Sequence, residues 1–160
     1  MIKKSLSVGA LAALLFSLAA PLRAADLPSH HRFNLLGENV GLTGYDPVSY
    51  FPEGGGKPEK GHIKIAEDYQ GVTFRFASEE HRAVFKKNPE KFLPQYGGWC
   101  AWAVGAIGKR VDADAENYEL RNGKLYVFYR DPQLDTRELW RKEPDSLVGK
   151  ADAAWPALAQ

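Results

Sequence analysis

The sequence predicts a small single α+β domain built from two short antiparallel β-hairpins and several short helices, and three observations carry that expectation. Ile63 and Ile65, then Val72, Phe74 and Phe76, alternate with polar residues at the period of a half-buried strand. Gln70-Gly71 and Asn122-Gly123 punctuate these and a second pair of alternating runs, and Asn-Gly is a strong hairpin signal. The helical stretches are short and open on a capping residue or a proline, at Ser78, Asn88-Pro89, Asp131-Pro132 and Pro144.

In chain order, residues 1–24 read as a signal peptide. Lys3 and Lys4 precede an apolar run from residue 6 to residue 20, and Leu22-Arg23-Ala24 suits cleavage after Ala24. The run is short for a membrane span, so the expectation is export to the periplasm as a protein with no span after cleavage. Residues 25–43 lack periodicity and read as an extended arm carrying His30 and His31. The domain proper is expected over residues 44–160. Pro47 biases Asp46 toward an extended conformation, so residues 44–51 read as a strand edge or rigid turn. Gly54-Gly55-Gly56, between Pro52 and Pro58, reads as a surface loop.

The first hairpin is expected from His62 to Phe76, with Ser78 capping a helix whose first turn holds Glu79, Glu80 and His81. Asn88-Pro89 starts another turn that delivers Phe92 and Leu93 to the core. Residues 105–117 read as a loop. In the second hairpin Leu125, Val127 and Tyr129 share one face, and Tyr126 and Phe128 the other. Asp131-Pro132 is expected to cap a helix bearing Leu134, Leu139 and Trp140. Pro144 opens the last helix, with Leu147, Val148, Ala151 and Trp155 on its inner side.

Residues 94–105 hold the only cysteine, two of the four tryptophans and the Gly97-Gly98 pair. Glycines before an unbroken apolar run predict a sharp turn into a helix starting near Trp99. Cys100 would then lie in the first helical turn, where free N–H groups favour a thiolate. The competing reading is a small buried apolar residue. A lone cysteine in an oxidising compartment cannot form an internal disulfide, so it is buried, ligated, free, or paired with another molecule.

Composition narrows the function classes. Without the signal, 136 residues remain, enough for one domain with a core. Basic residues then number 18 against 20 acidic ones, a net charge of −2, and they are scattered, which speaks against nucleic acid as a partner.

Three pieces, Tyr45-Asp46-Pro47-Val48 with Tyr50-Phe51, Phe74-Arg75-Phe76-Ala77-Ser78 followed by Phe85, Pro89 and Phe92, and Tyr96-Gly97-Gly98-Trp99-Cys100-Ala101, together resemble the YHS-domain family in its exported single-domain branch. The resemblance covers residues 44–105 and implies the fold. It also implies a soft-metal site at three cysteine positions, which here read Ser49, Ala77 and His81. Two of those ligands are therefore replaced, while His81 can still bind metal and Cys100 belongs to the branch's own motif. A replacement site would need Cys100, His81 and Asp46 to converge, a set suited to copper or zinc. The leading expectation is a non-enzymatic periplasmic metal-handling protein of the YHS type. The alternatives are a structural or partner-binding module without metal, with the aromatic residues as a pocket for a small ligand or as a face for a periplasmic protein, and a thiol-dependent enzyme with His81 as base and Cys100 as nucleophile.

Overall fold

The protein is described by a computed structural model over residues 32–160. The predicted signal peptide and the His30-His31 pair lie outside the described residues.

The domain is α+β, as the alternation and the caps predict. Strands β1 (Leu35–Leu36) and β2 (Val40–Gly41) pair antiparallel, and β2 continues onto the first predicted hairpin, β3 (His62–Tyr69) and β4 (Val72–Phe76). The resulting four-stranded sheet has the order β1-β2-β4-β3, with β2 and β4 parallel. Part of the expected arm is thus sheet. Two-residue strands carry no readable alternation, which is why the periodicity missed them. The second hairpin is β5 (Asp114–Arg121) and β6 (Lys124–Phe128), a separate two-stranded sheet.

Helix α1 (Glu79–Lys87) is capped as expected, the Ser78 hydroxyl accepting from the His81 amide. Helix α2 (Pro89–Phe92) follows, with Pro89 in its first turn, although the Asn88 side chain makes no cap bond. Helix α3 (Ala101–Ile107) starts later than expected, so Cys100 is its N-cap residue and not part of its first turn. It also runs into the segment read as a loop. Helix α4 (Thr136–Trp140) is capped by Asp135, whose carboxylate accepts from the Arg137 amide. Asp131 instead closes a turn by accepting from the amides of Gln133 and Leu134, which leaves Leu134 outside the helix. Helix α5 (Pro144–Leu158) begins at the expected proline.

The β5–β6 hairpin divides the interior. Leu125 and Val127 enter a core with Val48, Tyr50, Phe51, Val72, Phe74, Phe76, Phe85 and Phe92. Tyr126 and Phe128 enter a second core with Tyr96, Val104, Trp140, Leu147 and Ala151. Alternation along one strand thus serves two apolar layers, where a surface hairpin would turn one face to water.

The arm is tied down at the glycine turn. The Asn34 amide donates to the Gly97 carbonyl at 2.8 Å, and its side chain donates to the Gly98 carbonyl at 3.3 Å. Gly97 has φ +61°, and a Cβ there would lie 1.9 Å from the Arg32 carbonyl oxygen. Both the conformation and the close approach require glycine.

Candidate functional site

The Asp46 turn, the end of β4 and the start of α1 meet around one carboxylate. Asp46 is fully buried. Its Oδ1 accepts from the Val48 amide at 2.8 Å and its Oδ2 from the Ala77 amide at 2.8 Å. The same Oδ2 lies 2.6 Å from His81 Nδ1. Backbone amides can only donate, so both oxygens serve as acceptors, and Nδ1 is the nitrogen that carries the proton and donates. Nε2 is then the nitrogen with a free lone pair in the neutral ring, and it has no hydrogen-bond partner among the described residues. The His81 side chain is 17% exposed, so the ring is reachable from solvent at one edge.

Local sequence explains the geometry. Pro47 stiffens the turn in which Asp46 bonds the amide two residues on, an Asx turn. Ser49 ties that turn to the next segment: its hydroxyl donates to the Asp46 carbonyl at 2.7 Å and accepts from the Glu59 amide at 3.0 Å. The Ser78 cap fixes where α1 begins and therefore where the His81 ring stands, with Glu79 and Glu80 exposed beside it. Tyr45, next to Asp46, donates its hydroxyl to Glu116, and this bond, helped by burial and by the Glu116 charge, pushes its pKa up to about 12. Burial pushes the Tyr50 phenol up as well.

Cys100 stands elsewhere. Its sulfur is fully buried and lies 3.3 Å from Thr136 Oγ1. The Thr136 hydroxyl has one hydrogen, and it donates that to the Tyr129 carbonyl at 2.9 Å. With that hydrogen committed, the contact leaves the thiol S–H as the donor and the hydroxyl oxygen as the acceptor. The structure brings Asp46 and His81 together and places Cys100 against Thr136. Among the described residues no three His, Cys, Asp or Glu side chains are grouped to hold an ion.

Ser49 and Ala77, at the two positions where the resemblance implied cysteines, both take part in the Asp46 network, Ser49 through its hydroxyl and Ala77 through its amide. Sequence reasoning missed Thr136 as the sulfur's partner, since nothing local links residues 36 apart. It also missed Arg137 and Tyr118, which line an open cleft beside Tyr50. The Ser78-x-x-His81 spacing was the readable signal for the ring, because an N-cap three residues before a histidine fixes that ring at the helix start.

No family model, no curated protein and no solved structure matches the chain. Among the described residues no helix is long and apolar enough to cross a membrane.

Proposed function

We propose that this is an exported, non-enzymatic binding protein of the YHS type that handles a copper or zinc ion through His81. The observation that carries the reading is the buried Asp46 carboxylate fixing His81 through Nδ1, which leaves Nε2 as a pre-oriented donor at the surface. A metal-binding histidine characteristically gives its other ring N–H to a carboxylate, which fixes the tautomer and raises the basicity of the ligating nitrogen. One imidazole with solvent or a second molecule completing the coordination suits transfer of an ion better than storage. Cys100, withdrawn from solvent and bonded to Thr136, has no part in this version of the site.

Titration of the purified protein with Cu²⁺ and with Zn²⁺, read by calorimetry, tests it. His81→Gln is expected to abolish the tightest site, and Asp46→Asn to weaken it by about 10- to 100-fold. Cys100→Ala is expected to leave it unchanged. Equal affinity in native protein and His81→Gln would end the proposal.

One observation favours a second reading. Asp46 joins three segments through bonds that are complete without a metal, and no three-donor group stands around it among the described residues. In that reading the pair is a clasp in a structural or partner-binding module, and both ions bind only weakly and independently of His81.

A further inference from the structure

The two apolar layers differ in chemistry. The first takes most of its rings from phenylalanine, Phe51, Phe74, Phe76, Phe85 and Phe92 among them. The second holds or touches all four tryptophans: Trp140 is buried in it, and Trp99, Trp102 and Trp155 pack half-buried against it, beside Tyr96 and Tyr126. Phenylalanine gives up an electron to almost no biological oxidant, whereas indole and phenol do so readily, so easily oxidised rings are collected on one side of β6. Four of them form an unbroken line. Trp155 meets Tyr96 edge to face with centroids 5.8 Å apart, Tyr96 meets Tyr126 at 6.1 Å, and Tyr126 meets Trp140 at 5.2 Å. Trp140 is fully buried and Trp155 is reachable from solvent, so the line runs from the interior to the surface.

Tyr96 is set apart within the line. It is buried, yet its hydroxyl donates to the Asp152 carboxylate at 2.9 Å. Asp152 stands three residues before Trp155 on α5, so the helix presents the carboxylate and the indole on one face, to one ring. A phenol that loses an electron becomes strongly acidic and sheds its proton, and a carboxylate already in hydrogen-bond contact takes that proton directly. Tyr45, Tyr69 and Tyr129 also donate to carboxylates, but of these four rings only Tyr96 touches a tryptophan. The backbone is strained to hold it there: Tyr96 has φ +54°, in the left-handed region that a bulky side chain rarely occupies.

We propose that these rings form a one-electron relay with Tyr96 as its trap, which accepts an oxidising equivalent at Trp155 from a small free radical. The radical takes one electron from the Trp155 indole and leaves reduced, and the indole cation loses its N–H proton to water. Tyr96 then gives one electron to the indole, which recovers a proton from water, while the phenol proton moves to Asp152. The outcome is a neutral tyrosyl radical, an intact Trp155 and a protonated Asp152. One electron from an external reductant, with the proton returned by Asp152, restores the phenol. Tyr126 connects the buried Trp140 to the same trap. The proposal does not rest on the metal reading, and its test uses metal-stripped protein, so either can fail alone.

Pulse radiolysis with the azide radical, a one-electron oxidant that prefers indole to phenol, tests it, the tryptophanyl and tyrosyl radicals being followed by their separate absorption bands. The tryptophanyl band is expected to decay as the tyrosyl band grows, at a single rate that does not change with protein concentration. Tyr96→Phe and Asp152→Asn are each expected to slow that growth by at least about tenfold, the first by removing the trap and the second by removing its proton acceptor. Tyr129→Phe, which removes a carboxylate-bonded phenol in contact with no tryptophan ring, is expected to leave it unchanged. A rate proportional to protein concentration, or a native rate in either Tyr96→Phe or Asp152→Asn, would overturn the relay. Asp152 is exposed, so its variant decides the matter even if Tyr96→Phe folds poorly.

Discussion

The carboxylate of Asp46 meets the imidazole of His81 at 2.6 Å, one partner wholly withdrawn from solvent and the other showing an edge to it. That single contact links a turn at residue 46 to the first turn of a helix 35 residues later, and the Val48 and Ala77 amides complete the carboxylate's bonding. Asp46→Ala strands both amides and the ring nitrogen, and is expected to destabilise the fold by about 3 kcal/mol. His81→Gln is expected to cost less, about 1 to 2 kcal/mol, because the two amides still hold the carboxylate. Urea unfolding of the three proteins checks the order, and a loss below about 1 kcal/mol for Asp46→Ala would contradict the bonding described.

Cys100 is expected to resist aromatic disulfide reagents in the folded protein and to react only as fast as the chain opens, since its sulfur is fully buried. Cys100→Ala removes the S–H donor while Thr136 keeps its bond to the Tyr129 carbonyl, so a loss of about 1 to 2 kcal/mol is expected. Rapid stoichiometric labelling without denaturant would show the thiol to be accessible after all.

Gly97→Ala is expected to be among the most damaging single changes. The added carbon would meet the Arg32 carbonyl oxygen at 1.9 Å, an atom of backbone that no rotamer change can move aside. A loss of about 3 kcal/mol or more, or failure to fold, is the expected result in thermal or urea melts. Gly123→Ala is the control: φ is also positive, but nothing lies within 4 Å, so only the conformational cost of about 1 kcal/mol applies.

Alkaline pH is expected to unfold the protein through its buried phenols. Burial, reinforced by the bond from the Tyr96 hydroxyl to Asp152 at 2.9 Å, raises the Tyr96 pKa, and burial raises that of Tyr50. The folded state therefore holds these protons more tightly than the unfolded chain does. The corresponding stability is fully present below the ordinary tyrosine value near 10 and is lost as pH climbs above it. Absorbance at 295 nm should show these phenols ionising together with the loss of circular dichroism, and Tyr96→Phe should shift that loss to higher pH.

The hairpins, the Ser78 cap and the Pro144 helix start were legible because each is written in adjacent residues. The Asp46–His81 pair was half legible: both residues stood out, Asp46 by its proline and His81 by its cap, but their meeting depends on how β4 lies against the turn. The start of α3 was expected near Trp99, since Trp99 and Cys100 look as helix-compatible as Ala101, but their ψ angles of 157° and 111° are not helical, and the helix begins two residues later at Ala101. Asp131-Pro132 misled for a related reason. Its Asx bonds closed a turn four residues before the residue that caps α4, and both Asp131 and Asp135 carry the same capping chemistry.

Strand β6 is wetted on neither face, since Leu125 and Val127 leave it on one side and Tyr126 and Phe128 on the other. The two apolar layers share that partition as two rooms share a wall, so loosening either one removes support from the other. Hydrogen exchange should accordingly find no half of the molecule that opens by itself: the amides of the sheet and those of α3 and α5 should exchange through one common event, and a mutation in either layer should speed both alike.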